Sequence, residues 1–572
     1  MKHLWRRVKA CTRPIAVGTL IKVIGTLMDL LIPFILAHIL NDVVEGKNLY
    51  EILFWGGVMI LCSVIAVLFN VLANRMASAV STEITGDIRH ALFERISYLS
   101  SRQTDSFTIA SLESRLTSDT YNVNQMIGMS LRLGIRAPIL LIGGIIMTLV
   151  LDPLLTLVVL FTLPFIFIIV RRTSMAGIPL YRELQKKNDE VTRVVREDAS
   201  GIRVIKALSK VEYEKERFDA ANKDAIATEK KAGVTMAKMN PIMTFILNAG
   251  MCAVILAGAL LVTRGYTEAG TIIAFMSYFT IMANALINVS RIFVNVSKGS
   301  ASMGRIAEVL DAESELILEG ADPIPDKSAP FIEFRKVSFG YNGRPVLKNI
   351  SFTLEKTQTL GIIGETGSGK STLLNLLMRF YDPDEGEILI EGVNVRDIPT
   401  ATLRQKFGVV FQNDFLFADT VKENIRFGRD LSDEAVKSAA SHAQASEFIE
   451  QKEGGYDHML TIKGANLSGG QKQRTLIARA LAADSEILVL DDASSALDYK
   501  TDSLLRAAIS RGFSHTTVIV VAQRVSSIAL ADKILLLSGG EIIAEGRHEE
   551  LLEVSPLYKG ISDSQMGGAI LD

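Results

Sequence analysis

Nine residues, Gly364-Glu365-Thr366-Gly367-Ser368-Gly369-Lys370-Ser371-Thr372, follow directly on the apolar run 360–363. Glycines at this spacing let a loop wrap its backbone N–H groups round a phosphate. The lysine brings a cation to the β and γ phosphates of a nucleotide, and the Ser371 hydroxyl at a helix start can ligate Mg²⁺. A strand before the loop and a helix after it form the context that a phosphate-binding motif requires. Ile487-Leu488-Val489-Leu490-Asp491 is a second apolar strand, and its closing carboxylate falls at the C-terminal edge of a sheet, where it can hold the Mg²⁺ shell. Between the two, Leu467-Ser468-Gly469-Gly470-Gln471 opens a helical stretch over 472–483, so backbone donors at a helix N-terminus can face an anion.

The elements that must position these residues belong to an α/β domain. Short β-type runs at 331–334, 359–363, 407–411, 487–490, 517–521 and 533–537 alternate with helical and turn segments. Upstream the composition is different. Of the 572 residues 48% are hydrophobic and 22% charged, and the hydrophobic excess lies before residue 300. It is gathered in six blocks, 14–40, 52–73, 137–151 with its upstream turn, 153–170, 239–263 and 271–290, some of them marginal against the about 20 helical residues that cross a hydrocarbon core. Lys2, Arg6, Arg7, Lys9 and Arg13 precede the first block and place the N-terminus on the cytoplasmic side. The outward connections, 41–51, the turn near Asp152 and 264–270, are then short, while the inward ones, 74–136 and 171–238, are long, charged and helical. An even number of spans returns the second half to the cytosol, through a linker marked by Asp322-Pro323-Ile324-Pro325-Asp326.

Composition also excludes. Lys plus Arg is 61 against 63 for Asp plus Glu, a net charge of −2, and no basic field points to nucleic acid. The three cysteines, Cys11, Cys62 and Cys252, are too dispersed for a disulfide framework or a zinc site.

In this order, after six spans, the motifs resemble the ATP-binding cassette exporters, and the resemblance covers essentially the whole chain. It implies a six-helix transmembrane domain of the type I exporter (type IV) fold fused to an α/β P-loop ATP-binding cassette domain. The expected division is 1–300 for the transmembrane domain, 301–330 for a linker and 331–572 for the nucleotide-binding domain. The implied cofactors are ATP and Mg²⁺, the metal held by Ser371, Gln412 and Asp491. Gln412 matches the Q-loop glutamine, Tyr341 the aromatic that stacks on adenine, Leu467 to Gln471 the signature motif acting on ATP bound by a partner, and Ser495-Ala496-Leu497-Asp498 the D-loop. By the same resemblance the helices coupling the two domains fall near 117–123 and 207–214, the second docking on the partner chain.

Two positions depart from the family pattern. The general-base position after Asp491 holds Asp492 instead of Glu, and the switch position holds Gln523 instead of His. An Asp is shorter by one C–C bond, about 1.5 Å, and a misplacement of about 1 Å costs roughly 100-fold in rate. A glutamine cannot exchange a proton near neutral pH, although its amide can hydrogen-bond. Both departures in one site imply a pocket that binds ATP and hydrolyses it poorly. Because the signature motif is intact, the resemblance implies a heterodimer with a second half-transporter that carries the working base. The expected activity is ATP-driven export of small amphipathic molecules or drugs across the cell membrane, with both termini cytoplasmic. An ATP-gated channel or regulatory subunit and a homodimeric lipid or peptide exporter are the alternatives. For the substrate cavity the candidates are Asp29 in the first span and Asn284 and Asn288, one turn apart in the sixth. Lys22, seven residues before Asp29, either lines the same path or snorkels to the interface.

Overall fold

The computed structural model describes residues 9–44, 46, 48–313, 323–341 and 343–566. Lys2, Arg6 and Arg7 of the basic start, and Asp322 of the expected linker, lie outside the described residues. The chain forms two compact units, one of Met1–Ser97 with Ile109–Ala312 and one of Tyr98–Thr108 with Glu313–Asp572.

The first unit is helical, with α1 (Thr12–His38) and α2 (Leu49–Ser97) followed, after the short α3 (Ser101–Phe107) that belongs to the second unit, by α4 (Ile109–Ser114), α5 (Thr120–Leu151), α6 (Pro153–Ala207), α7 (Val211–Ala237), α8 (Met239–Thr263) and α9 (Ala269–Leu310). Among the described residues five helical stretches are long and apolar enough to cross a membrane: Thr12–Val43, Leu49–Ser97, Ile109–Leu151, Val211–Thr263 and Ala269–Leu310. The sixth block expected from the sequence is the shorter apolar stretch Pro153–Ile169, the first third of α6. At 55 residues α6 is roughly 80 Å long, far beyond the ~30 Å of a hydrocarbon core. The long charged connections are therefore continuations of the apolar helices, as their charge and helical pattern imply. The α9 helix runs to Leu310, ten residues into the segment expected as linker.

Local chemistry explains the turns. Asp152 separates α5 from α6, and its carboxylate accepts from the N–H groups of Leu154 (2.8 Å) and Leu155 (3.1 Å), with Pro153 opening the helix where no donor is needed. The core of this unit gathers Leu155, Val159, Ile166, Phe275, Phe279 and Met282. The buried Tyr278 hydroxyl donates to the Leu30 carbonyl at 2.5 Å, close to Pro33, whose ring removes an N–H from the α1 ladder.

The second unit holds two sheets. A four-stranded antiparallel sheet, in the order β2-β1-β4-β5, comprises β1 (Ile332–Tyr341), β2 (Arg344–Leu354), β4 (Glu385–Ile390) and β5 (Val393–Asn394). A six-stranded sheet has the order β10-β9-β3-β8-β7-β6. Its strands are β3 (Thr359–Gly364), β6 (Phe407–Val410), β7 (Ile487–Asp491), β8 (Thr517–Val521), β9 (Lys533–Ser538) and β10 (Glu541–Gly546), parallel except for β10. Strands β3, β7 and β9 are buried almost throughout, which is why they read as unbroken apolar runs with no alternation. Registration puts Ile362, Val521 and Asp491 in one row across β3, β8 and β7. The segments that leave these strands therefore emerge side by side at the carboxyl edge, where open α/β sheets bind ligands.

Candidate nucleotide site and coupling elements

The loop after β3 has the shape its glycines predict. Gly367 and Gly369 adopt φ of 85° and 99°, in the left-handed region, and a Cβ on Gly364 would stand 2.1 Å from the Leu537 carbonyl oxygen. The Lys370 ammonium donates to the carbonyls of Gly364 and Glu365, both at 2.8 Å, which folds it over the loop. Thr366 is exposed at the tip, and Thr372 is buried in the first turn of α10 (Lys370–Leu377). The Ser368 hydroxyl is buried and makes no hydrogen bond within the protein, an unusual state for a polar atom. A loop with free backbone donors, an ammonium and a spare hydroxyl fits a nucleotide phosphate.

Two carboxylates stand opposite. Asp491 is buried at the end of β7 and hydrogen-bonded to Ser371, so the hydroxyl and carboxylate expected to share Mg²⁺ are already together. Burial pushes its carboxyl up, with the Ser371 hydrogen bond opposing. Asp492 follows with φ of 53°, in the left-handed region, where the strand ends. Burial raises its carboxyl too, against the cations of Lys370 and Arg524 and hydrogen bonds from Gln412 and Gln523. The Gln523 amide donates to Asp492 Oδ2 at 3.0 Å. Lys370 is lowered by burial, opposed by both aspartates. Gln412, expected near the metal, is hydrogen-bonded to Asp492, the residue next to Asp491. The chemistry this set can perform is to bind a triphosphate with Mg²⁺, which when bound would neutralise the charge between the phosphates. The Asp492 carboxylate is engaged by two neutral amides, those of Gln523 and Gln412.

Tyr341 ends β1 in a cluster of rings, edge-on to Phe339 (4.9 Å) and to Tyr381 (5.1 Å). The signature residues open α11 (Gly469–Leu481) through a reciprocal cap: Ser468 Oγ accepts from the Gln471 N–H at 3.3 Å, and Gln471 Oε1 accepts from the Ser468 N–H at 3.2 Å. Ser468 and Gly469 are exposed, while Leu467 tucks towards the core. A Cβ on Gly470 would lie 3.3 Å from the Ala496 carbonyl oxygen, so the fold brings signature and D-loop together. In the D-loop Ser495 donates to the Asp492 carbonyl at 2.9 Å, Leu497 is buried, and Asp498 caps α12 (Tyr499–Gly512) through the Thr501 N–H at 2.9 Å.

The coupling elements correct the sequence reading. Residues 117–123 lie in the helical unit, where Asp119 is clamped by Arg305 of α9 (Nε at 2.8 Å) and Val123 is fully buried. The segment that joins the nucleotide unit is Tyr98–Thr108, carrying α3. Ser100 caps α3 with a reciprocal Gln103 bond. Asp105 accepts from the Tyr381 hydroxyl at 2.6 Å, and Arg102 stands 3.6 Å from Asp384. The signal in the sequence is the Ser-x-x-Gln cap at 100–103, hidden in a helix-rich polar stretch. Replacing Tyr381 by Phe removes one hydrogen bond to a carboxylate, about 1 kcal/mol or more at this half-buried position. We expect substrate stimulation of ATPase activity to fall several-fold in that variant while the edge-on contact of Tyr381 with Tyr341 is retained and nucleotide affinity is unchanged. Near 207–214 the chain turns between α6 and α7, with Leu208, Val211 and Tyr213 exposed.

In the helical unit Asp29, Asn284 and Asn288 line one cavity of about 430 Å³. Ser277 and Arg136 also line it, and Arg136, which the sequence conceals because it ends a charged stretch, donates to Asp29 Oδ2 at 2.9 Å. Asn70 also reaches this oxygen, at 3.3 Å. Lys22 does not join them or reach outward: it is buried, and its ammonium donates to Asn74 Oδ1 at 3.0 Å.

A phosphate-binding loop and Mg²⁺ carboxylate on a parallel sheet, in one chain with membrane-length helices, define a nucleotide-driven membrane protein. Residues 15–286 match the ABC transporter transmembrane region and residues 347–495 the ABC transporter family. The chain belongs to the ABC transporters, with the transmembrane and ATP-binding domains of an exporter half in one polypeptide. It is 37% identical over 543 residues to the ABC transporter ATP-binding protein YfiB of Bacillus subtilis, covering 94% of each chain. To Rv1273c of Mycobacterium tuberculosis it is 32% identical over 569 residues, 98% of this chain and 97% of that one. The structure of a bacterial Atm1-family ABC exporter with ATP bound superposes with a TM-score of 0.83 at 26% identity, over 97% of this chain and 98% of that chain.

Proposed function

We propose that this chain is one half of a heterodimeric exporter whose own ATP site holds nucleotide and turns it over slowly. The observation that carries this reading is the Gln523 amide bonded to Asp492 at 3.0 Å, with Gln412 on the same carboxylate. A base so occupied, and shorter than the family's Glu, is badly placed to activate water. The signature motif is capped and exposed, the arrangement needed to reach ATP held by another chain. ATP binding would close the paired nucleotide domains (331–572 in this chain), and hydrolysis at the partner's site would reopen them. Tyr341 would stack on adenine, residues 364–372 would hold the phosphates, and Ser371, Asp491 and Gln412 would share Mg²⁺. Both termini would lie in the cytosol.

Two surfaces suit such a pairing. Phe415, Phe417 and Phe427 form an exposed ring cluster beside the Q-loop, with ring separations of 5.0 and 5.2 Å. The exposed Leu208, Val211 and Tyr213 at the turn of the other unit offer the apolar surface to meet the corresponding region of a partner chain.

The cavity between α1, α5 and α9 would receive the substrate, an amphipathic small molecule, its apolar part against Ile32, Leu140 and Ile281 and its polar part towards Asp29, Arg136, Asn284 and Asn288. Arg136→Ala leaves a carboxylate without its cation in a low-dielectric wall and is expected to cut transport at least tenfold. Asp29→Asn, which keeps the volume, should change substrate preference more than rate. Uptake into inverted vesicles, with the partner co-expressed, checks both. Unchanged transport of every tested compound by both variants removes the cavity from the substrate path. The pairing itself is tested by purification: alone, the chain is expected to hydrolyse ATP well below one per second, and a turnover of tens per second would overturn the heterodimer.

A further inference from the structure

We infer that Gln565, near the end of the last described helix, is a positioning residue for the ATP site, acting through the switch glutamine. The segment 522–527 leaves β8 and carries Gln523 to Asp492. Its backbone is pinned at one end by the Ala522 N–H donating to the Ile362 carbonyl on β3 at 3.1 Å. At the other side the Gln565 carboxamide brackets it. Gln565 Nε2 donates to the Gln523 carbonyl at 2.8 Å, and Gln565 Oε1 accepts from the Val525 N–H at 2.7 Å. One planar amide thus satisfies an acceptor and a donor two residues apart, as a neighbouring strand would, and fixes the peptide plane from which the Gln523 side chain departs. From that plane the side chain reaches Asp492 Oδ2 at 3.0 Å.

The helix that presents Gln565, α13 (Pro556–Met566), is itself rigidly set. Tyr558 is fully buried among Val525, Ile528 and Leu551, its hydroxyl 2.8 Å from His548 Nδ1, and Ser562 is buried on the same side. Gln565 by contrast is exposed and packs in no core. A surface glutamine that spends both ends of its amide on one loop backbone contributes geometry, and truncating it leaves no cavity. The C-terminal helix therefore sets how firmly the switch position holds the base carboxylate, and displacement of its end releases that hold.

This inference rests on the reading that the site retains ATP, and the experiment separates the two. In the full-length chain with its partner, release of a fluorescent ATP analogue is followed for wild type, Gln565→Ala, Gln565→Glu, Gln523→Ala and the Gln523→Ala, Gln565→Ala double variant. Two neutral hydrogen bonds at an exposed position correspond to about a fivefold faster release in Gln565→Ala. Gln565→Glu keeps the acceptor for Val525 but sets a carboxylate oxygen against the Gln523 carbonyl, and is expected to release at least as fast as Gln565→Ala. If Gln565 acts through Gln523, its removal changes nothing further in the Gln523→Ala background. No effect of Gln565→Ala on wild type, or an equal effect in both backgrounds, overturns the proposal. Fast release or hydrolysis by wild type instead counts against the retention reading, and the same cycle read on kcat then still tests Gln565.

Discussion

Asp492→Glu combined with Gln523→His is expected to raise ATP hydrolysis at this chain's own site by about 100-fold. The longer side chain recovers the ~1.5 Å that Asp lacks, and the imidazole replaces an amide that can bond but cannot exchange protons. Neither change should suffice alone. With Asp492→Glu by itself, the new carboxylate would still be held by the Gln523 amide, a donor that competes with water. With Gln523→His by itself, the imidazole would orient the Asp492 carboxylate, which stops short. The remaining parts are in place: Lys370 over its loop, and Ser371 hydrogen-bonded to Asp491. Single-turnover hydrolysis by the double variant, in the pair whose partner base has been disabled, checks this. Turnover no faster than that of the parent pair would mean that the slow step lies elsewhere than in these two side chains.

Gly469→Asp is expected to have the opposite effect, and at a distance from this chain's own phosphates. Gly469 is the first residue of α11, exposed, with the Ser468 cap behind it. A carboxylate there would sit on the helix N-terminus proposed to face the partner's γ-phosphate, setting a negative charge against that phosphate beside the backbone donors. A repulsion that cancels one such donor costs roughly 10²- to 10³-fold in rate. ATPase activity of the pair should fall by that factor while nucleotide binding to this chain, measured by photolabelling, is unchanged. Equal loss when the partner is absent would place the effect within this chain.

What can be read from the sequence depends on how local the determinant is. The phosphate loop, the β7 carboxylate and the Ser468–Gln471 cap are set by residues within one turn or strand end, and those runs declare themselves. The buried strands are visible because both faces are covered. The four-stranded sheet is readable only at its start, 331–334, since β2 is broken by polar residues and β4 carries only the short apolar run 388–390, which pairs with β1 from far along the chain. Long-range side-chain partners leave no trace. Arg136 meets Asp29 across 107 residues, Tyr381 meets Asp105 across 276, and Gln565 meets Gln523 across 42. The coupling segment is misplaced in the sequence reading for the same reason: 101–107 and 117–123 are equally polar and helical, and only packing distinguishes the one that joins the nucleotide domain. Asp29, Asn284 and Asn288 stand out because they are polar groups inside apolar helices, and the cavity they share is not predictable from spacing alone.

ATP bound by this chain is expected to stay intact while its partner's is consumed. Photolabelling of the co-expressed pair with an azido-ATP carrying the label on its γ-phosphate measures this per chain, because label is lost only where hydrolysis occurs. Label should persist on this chain over many turnovers while it disappears from the partner. Loss of the γ label from both chains at the same rate would contradict a retentive site here and the division of labour that follows from it.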